Sequence, residues 1–228
     1  VSTSRFCLLV VARSPVPGEA KTRLCPPATA EQAADIAAAA LLDTLDAVLA
    51  VPDSVPVVAL TGDLAHASRS AELERTLART TVLAQRGDSF AQRLVNAHLD
   101  TARLRPRRPV LQIGMDTPQV SMELLAGQAA RLLAGADALL GPANDGGWWA
   151  LGLREPVTAR ALATVPMSRP DTGELTRHAL RSAGLRVTKG PTLSDVDTMA
   201  DAESVANTLC GGRFVEAVRA VRLDSQSG

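Results

Sequence analysis

The chain has 228 residues, 46% of them hydrophobic and 21% charged, a globular composition with room for one sizeable core. Lysine plus arginine equals aspartate plus glutamate at 24 each, so the net charge is zero. That balance argues against nucleic acid or an anionic membrane as the main partner, since both require surplus positive charge.

The first apolar run, residues 6–12 (FCLLVVA), is continuous, as expected for a central strand covered on both faces. Pro15, Pro17, Gly18, Pro26 and Pro27 then break the chain. Residues 29–50 read as a long helix, opened by a capping-box pattern of Thr29 and Gln32. Strand 55–60, helix 64–79, strand 81–84 and helix 89–104 follow, then strand 109–114 directly before Met115-Asp116-Thr117-Pro118. Helix 121–133, strands 136–141 and 148–153, a helix from the Asp171/Glu174 pattern to Ala183, strand 185–189 and helix 199–209 complete the series. This alternation predicts a mostly parallel sheet with helices on both faces. One domain is expected over residues 1–223, with a polar, frayed tail over 224–228.

The run 6–12 is too short to cross a bilayer and lacks a signal-cleavage pattern. Cys7, Cys25 and Cys210 form no CxxC pair, which suggests reduced thiols. A cytoplasmic protein is expected, with neither nucleic acid nor membrane as partner; a homodimer is compatible with the sequence.

In open parallel sheets ligands bind beyond the carboxyl ends of the strands, so polar residues following each strand are the candidates. After the first strand, Ala12 leads into a loop carrying Arg13, Gly18, Lys21 and Arg23. Gly18 would let the backbone approach a ligand, and the three cations would grip phosphate. The plain alternative is a solvated turn with surface ion pairs. Because the loop joins a buried strand to a long helix, phosphate binding is the reading adopted. A Walker A loop is excluded, since Ala20 and Pro15 stand where it needs glycines, and no GxGxxG occurs.

Asp116 follows a buried strand and would hold Mg²⁺ (or Mn²⁺) against a diphosphate, or merely turn the chain. Asp145-Gly146-Gly147 sets a carboxylate beside two residues without side chains, room for a sugar or ribose. Strand alternation sends one of Trp148 and Trp149 inward and the other outward, where it would stack on a ring or simply cover the sheet. Asp195 and Asp197, one residue apart, would complete a metal site opposite Asp116, or Asp197 or Thr198 would cap the following helix.

These segments, SPVPGEAKTRL, GMDTP, GPANDGGWWALGL and SDVDT in this order, resemble a bacterial glycosyltransferase-A-like family labelled as of unknown function or as nucleotide-diphospho-sugar transferases. The family is similar to the guanylyltransferases of deazaflavin and molybdenum cofactor biosynthesis. The resemblance implies a three-layer α/β/α fold with a mixed, mainly parallel sheet, a nucleotide over the first loop and a divalent metal at Asp116. Two departures stand out: Trp148-Trp149 replace the tyrosines usual after DGG, and residues 165–172 lack an expected aromatic.

The leading functional expectation is a metal-dependent transferase moving a glycosyl group from an NDP-sugar to a small-molecule acceptor. Lys21, Arg23, Asp116 and Asp145 are its expected catalytic residues, and Asp145, Gly146, Gly147 and Trp148 its substrate wall. The alternatives are a nucleotidylyltransferase acting on an NTP and a nucleotide-binding protein without turnover.

Overall fold

In the computed structural model, which describes residues 5–226, the run read as the first strand forms β1 (Phe6–Arg13). Its side chains alternate as a strand's must. Phe6, Leu8, Val10 and Ala12 enter one apolar layer with α1 (Ala30–Ala50), α2 (Ser70–Leu77) and α4 (Met122–Leu133). Cys7, Leu9 and Val11 enter the opposite layer. That layer is filled by α3 (Phe90–Leu104), α5 (Thr172–Ser182) and a 3₁₀ segment, Pro156–Thr164.

β1 lies within a seven-stranded sheet with β2 (Ser54–Thr61), β3 (Thr81–Ala84), β4 (Val110–Gly114), β5 (Ala138–Pro142), β6 (Trp148–Leu153) and β7 (Val187–Lys189). The order is β3-β2-β1-β4-β6-β5-β7. All pairings are parallel except those of β6, which runs antiparallel to β4 and β5. The expected three-layer α/β/α architecture with a mixed, mainly parallel sheet is therefore present. Reversal of β6 matters for the site. It brings the start of that strand, with the preceding Asp145–Gly147 turn, to the same edge as the ends of β1 and β4.

A third apolar cluster is built by α1, α6 (Met199–Ala206) and α7 (Arg213–Gln226), around Ile36, Met199, Val205, Phe214 and Val218. The sequence reading placed neither α7 nor the 3₁₀ segment. For α7 the reason is Asp43 of α1: its carboxylate accepts from the Arg213 and Phe214 amides and so caps α7 from across the fold. The polar tail expected from Asp224 begins inside α7, whose backbone runs through Gln226; Ser227 and Gly228 lie outside the described residues.

Helix boundaries differ in two further places. The helix expected over 64–79 spans only Ser70–Leu77, starting behind Arg69, whose left-handed backbone (φ 53°) and paired contact with Asp35 end the preceding turns. The capping box expected of Asp171 and Glu174 does not form. Arg169 takes the Asp171 carboxylate and Arg177 takes Glu174. The Thr29–Gln32 box does form at α1, with both reciprocal hydrogen bonds. Among the described residues no helix is long and apolar enough to cross a membrane, and Cys7, Cys25 and Cys210 are all unpaired.

Candidate functional site

The strand ends converge on a cleft of about 640 Å³ whose walls include Ala12, Arg13, Arg23, Asp116, Asp145, Gly147, Trp148, Asp195 and Asp197. Four segments distant in sequence thus supply one surface. Their junction is partly backbone: the Val196 amide donates to the Asp116 carbonyl at 3.0 Å, tying the 195–197 segment to the end of β4. Thr198 and Asp201 form a reciprocal capping box at α6. Thr198 rather than Asp197 therefore caps the helix, and Asp197 is left to face the loop after β1.

Lys21 joins the two sides. Its Nζ lies 2.9 Å from Asp116 Oδ2 and 3.1 Å from Asp197 Oδ1, while Arg23 Nη1 reaches Asp197 Oδ2 at 3.0 Å. The Lys21 side chain is only 15% exposed, whereas Arg23 is 69% exposed. Burial disfavours the Lys21 ammonium, but Asp116 and Asp197 outweigh it and hold its pKa above the ordinary lysine value. Arg13 projects outward and pairs with Glu19 at 3.1 Å, more than half of each side chain exposed. The loop therefore presents two exposed guanidinium groups around one buried ammonium.

Gly18 serves conformation rather than close approach. It adopts φ +78°, a Cβ there would meet nothing within 4 Å, and it is not part of the cleft wall.

Asp195 lies behind the ion-paired group. Burial first, then the like charges of Asp145 and Asp116, push its pKa up to about 7; Lys21 partly offsets this and Asp197 adds to it. Asp145 is oriented by its own turn, accepting from the Gly147 amide at 2.8 Å. The glycines of this turn serve packing. A Cβ on Gly146 would lie 1.8 Å from the Pro170 carbonyl oxygen, and one on Gly173 would lie 2.6 Å from the Gly147 oxygen. The expected room for a sugar at Gly146 is thus filled by the 170–173 backbone, locked by a Gly173 amide to Gly146 carbonyl hydrogen bond of 2.8 Å. Gly147 still faces the cleft.

Strand alternation separates the tryptophans as expected. Trp149 is buried, its indole donating to the Pro191 carbonyl. Trp148 lines the cleft half-buried, and its indole donates to Thr176 Oγ1 at 3.1 Å.

Several wall residues were not singled out from the sequence. Gln85 donates its amide to the carbonyls of both Ala12 and Ala59, which fixes the side chain across the ends of β1 and β2. Arg93 has a buried Nε without a hydrogen-bond partner and stacks 5.7 Å from the Phe90 ring centroid. Gln112, nearly fully buried, holds His98 Nε2 at 2.9 Å, and burial keeps the His98 pKa down at about 4. These positions carry no local motif. Only helix-face and strand-end placement marks them.

Among the described residues no three histidine, cysteine or carboxylate side chains converge closely enough to hold a metal ion as they stand. The donor chemistry nonetheless suits a hard cation. Asp116 and Asp197 face one another with oxygens at most about 6 Å apart across an ammonium, and magnesium commonly takes only one or two protein carboxylates.

No curated protein matches the chain. Among solved structures it is similar to a protein of Desulfovibrio desulfuricans G20 described as a "putative nucleotide-diphospho-sugar transferase". The two are 25% identical, with 98% of this chain and 96% of that one covered and a TM-score of 0.81. A cytidylyltransferase of Leptospira borgpetersenii serovar Hardjo-bovis (strain JB197) is 12% identical, with 97% and 95% covered and a TM-score of 0.57. A nucleotidyl transferase of Methanothermobacter thermautotroptrophicus is 16% identical, with 92% and 98% covered and a TM-score of 0.52. The latter two share the fold, and the expected likeness to nucleotide-diphospho-sugar transferases is borne out at that level. A family profile matches residues 44–169, which include Asp116, Asp145 and the two glycines after it. Since that is more than half of its length, the chain belongs to the bacterial family described as "Uncharacterized protein conserved in bacteria (DUF2064)".

Proposed function

We propose that the protein is a metal-dependent transferase using a nucleotide-activated donor, and that it moves a glycosyl group from an NDP-sugar to a small acceptor. One observation carries this reading: the cations after β1 and the carboxylates after β4 and before α6 form one ion-paired group at the cleft floor. Opposite charges set side by side at strand ends suit a ligand that is itself an anion accompanied by a cation. Similarity to the Desulfovibrio protein supports the same donor class.

Arg13 and Arg23 stand on the cleft wall with exposed guanidinium groups and would clamp the diphosphate oxygens. Asp116 and Asp197, with Asp195 behind them, would hold Mg²⁺ or Mn²⁺. When bound, the ion supplies neutralisation of charge developing on the leaving diphosphate. The Asp145 carboxylate, fixed by the Gly147 amide, would take the acceptor hydroxyl proton. The acceptor oxygen then bonds to the anomeric carbon, that carbon's bond to the phosphate oxygen breaks, and NDP departs with the electron pair. Trp148 offers the half-buried face of the substrate wall.

Incubating the protein with Mg²⁺, a panel of NDP-sugars and a panel of NTPs tests the reaction. Release of NDP from an NDP-sugar supports the proposal. Pyrophosphate release from an NTP would replace it by nucleotidyl transfer, and nucleotide binding without either product by a non-catalytic role. Asp116→Ala should abolish metal-dependent turnover while leaving a folded protein, checked by circular dichroism.

A further inference from the structure

The Lys21 ammonium is held by the two carboxylates proposed to hold the metal. We infer that Lys21 is a resident counter-ion seated in the cation position between Asp116 and Asp197, and that it leaves this seat when a divalent ion enters with a diphosphate. The inference rests on the metal-dependent reading of the site.

Four observations support it. The ammonium is 2.9 Å from Asp116 and 3.1 Å from Asp197, and the side chain is largely buried. Lys21 holds a left-handed backbone, φ 49° and ψ 41°. A residue with a side chain adopts that conformation at a cost, which neighbouring interactions must sustain. Arg23 grips the other Asp197 oxygen from the solvent side, so Asp197 stays oriented when Lys21 departs. Leu24 is fully buried and anchors the short turn that follows, leaving the four-carbon lysine stem as the moving part.

Ammonium and metal cannot share this seat. An ammonium sits about 3 Å from its acceptors, whereas Mg²⁺ binds oxygen at about 2.1 Å, so exchange requires the carboxylates to close by roughly 2 Å. Metal entering alone must expel an ion-paired ammonium into water. With a diphosphate present, the displaced ammonium gains phosphate oxygens as partners. Metal and nucleotide are thereby coupled, each binding better with the other.

The test is a titration with Mn²⁺ alone, followed by the electron paramagnetic resonance of the free ion, on the wild type and on Lys21→Met, Arg23→Met and Lys21→Arg. Lys21→Met should bind Mn²⁺ roughly tenfold more tightly or better, because the unit charge that occupies the seat has been removed. Lys21→Arg keeps the charge and should show no gain. Arg23→Met removes a charge from the same carboxylate on its exposed side, where solvent screens it, and should gain less than about threefold. Equal or weaker Mn²⁺ binding by Lys21→Met overturns the inference. So does a gain in Arg23→Met as large as that in Lys21→Met.

A second measurement does not depend on any variant folding. Lys21 and the exposed Lys189 are the only lysines in the sequence, so protein labelled with ¹⁵N at lysine Nζ reports on two side-chain ammonium groups. Addition of Mg²⁺ should shift the Lys21 signal and leave Lys189 in place. Mg²⁺ binding detected by calorimetry with neither signal moving overturns the inference. Failure of every donor in the product assays would count against the proposed reaction alone, since both measurements here use metal without nucleotide.

Discussion

At the residue scale the site stores unfavourable charge. Asp195 has its carboxyl pushed up to about 7, principally by burial and then by Asp145 and Asp116. A carboxyl raised in the folded state binds protons more readily folded than unfolded. Its cost is absent below the ordinary aspartate pKa near 4 and fully present above about 7. Asp195→Asn should therefore stabilise the metal-free protein by roughly 1–3 kcal/mol at pH 8, after allowance for solvent screening, and change little at pH 4. Urea unfolding of both proteins at the two pH values checks this, and a gain over wild type no larger at pH 8 than at pH 4 would contradict it. Lys21 and Arg23 were legible as cations beside a proline-glycine loop. That one is buried between two aspartates and the other open to solvent was not, because both depend on segments far away in the chain, Asp116 at the end of β4 and Asp197 more than 170 residues on.

At the element scale, α3 and β4 meet through His98 and Gln112, both buried. His98 is held down to about 4 by burial, with the Gln112 contact only partly opposing. The unfolded chain then binds this proton more readily than the folded one across the window from about 6.5 to 4. Stability from His98 is full above that window and is lost as pH falls through it, by about 3 kcal/mol. In His98→Gln the loss between pH 7 and pH 4 should be smaller by that amount, as read from denaturant midpoints across a pH series. The turn before β6 gives a second prediction. Gly146 and Gly18 both adopt positive φ, yet only Gly146 is pressed against backbone. Gly146→Ala should thus lower the melting temperature well beyond Gly18→Ala, whose penalty is the backbone term of about 1 kcal/mol alone. Equal melting temperatures would show that the 170–173 segment yields freely. The missing α7 belongs to this scale too: its cap is Asp43, on another helix, so no local signal announces it.

At the scale of the whole molecule, one sheet carries all four candidate segments, and any ligand bridging them links the ends of β1, β4 and β5. A ligand selective for the folded state stabilises by about 2.7 kcal/mol at a hundredfold excess over its dissociation constant. For a chain of this length that is a rise of roughly 5–10 °C in Tm. Nucleoside diphosphates with Mg²⁺ should produce it in thermal unfolding, and Arg23→Ala, which removes an exposed guanidinium from the proposed diphosphate clamp, should lose part of it. An undiminished rise in Arg23→Ala would remove this arginine from the nucleotide site.

The alternation of apolar runs and amphipathic stretches determined the seven strands and most helices by itself, because residues buried on both faces of a strand and on one face of a helix leave periods that need no neighbour to be read. Residue types at strand ends likewise marked Arg13, Lys21, Arg23, Asp116, Asp145 and the Asp195/Asp197 pair. Tertiary structure alone decided how they are joined. Reversal of β6 brought the Asp145 turn to the same cleft as Asp116, the Val196 amide fastened the last aspartates to β4, and Pro170 took the space that Gly146 leaves open. Charge pairing, burial and close approach are relations between segments far apart in the chain, and only their meeting in space sets which cation faces which carboxylate.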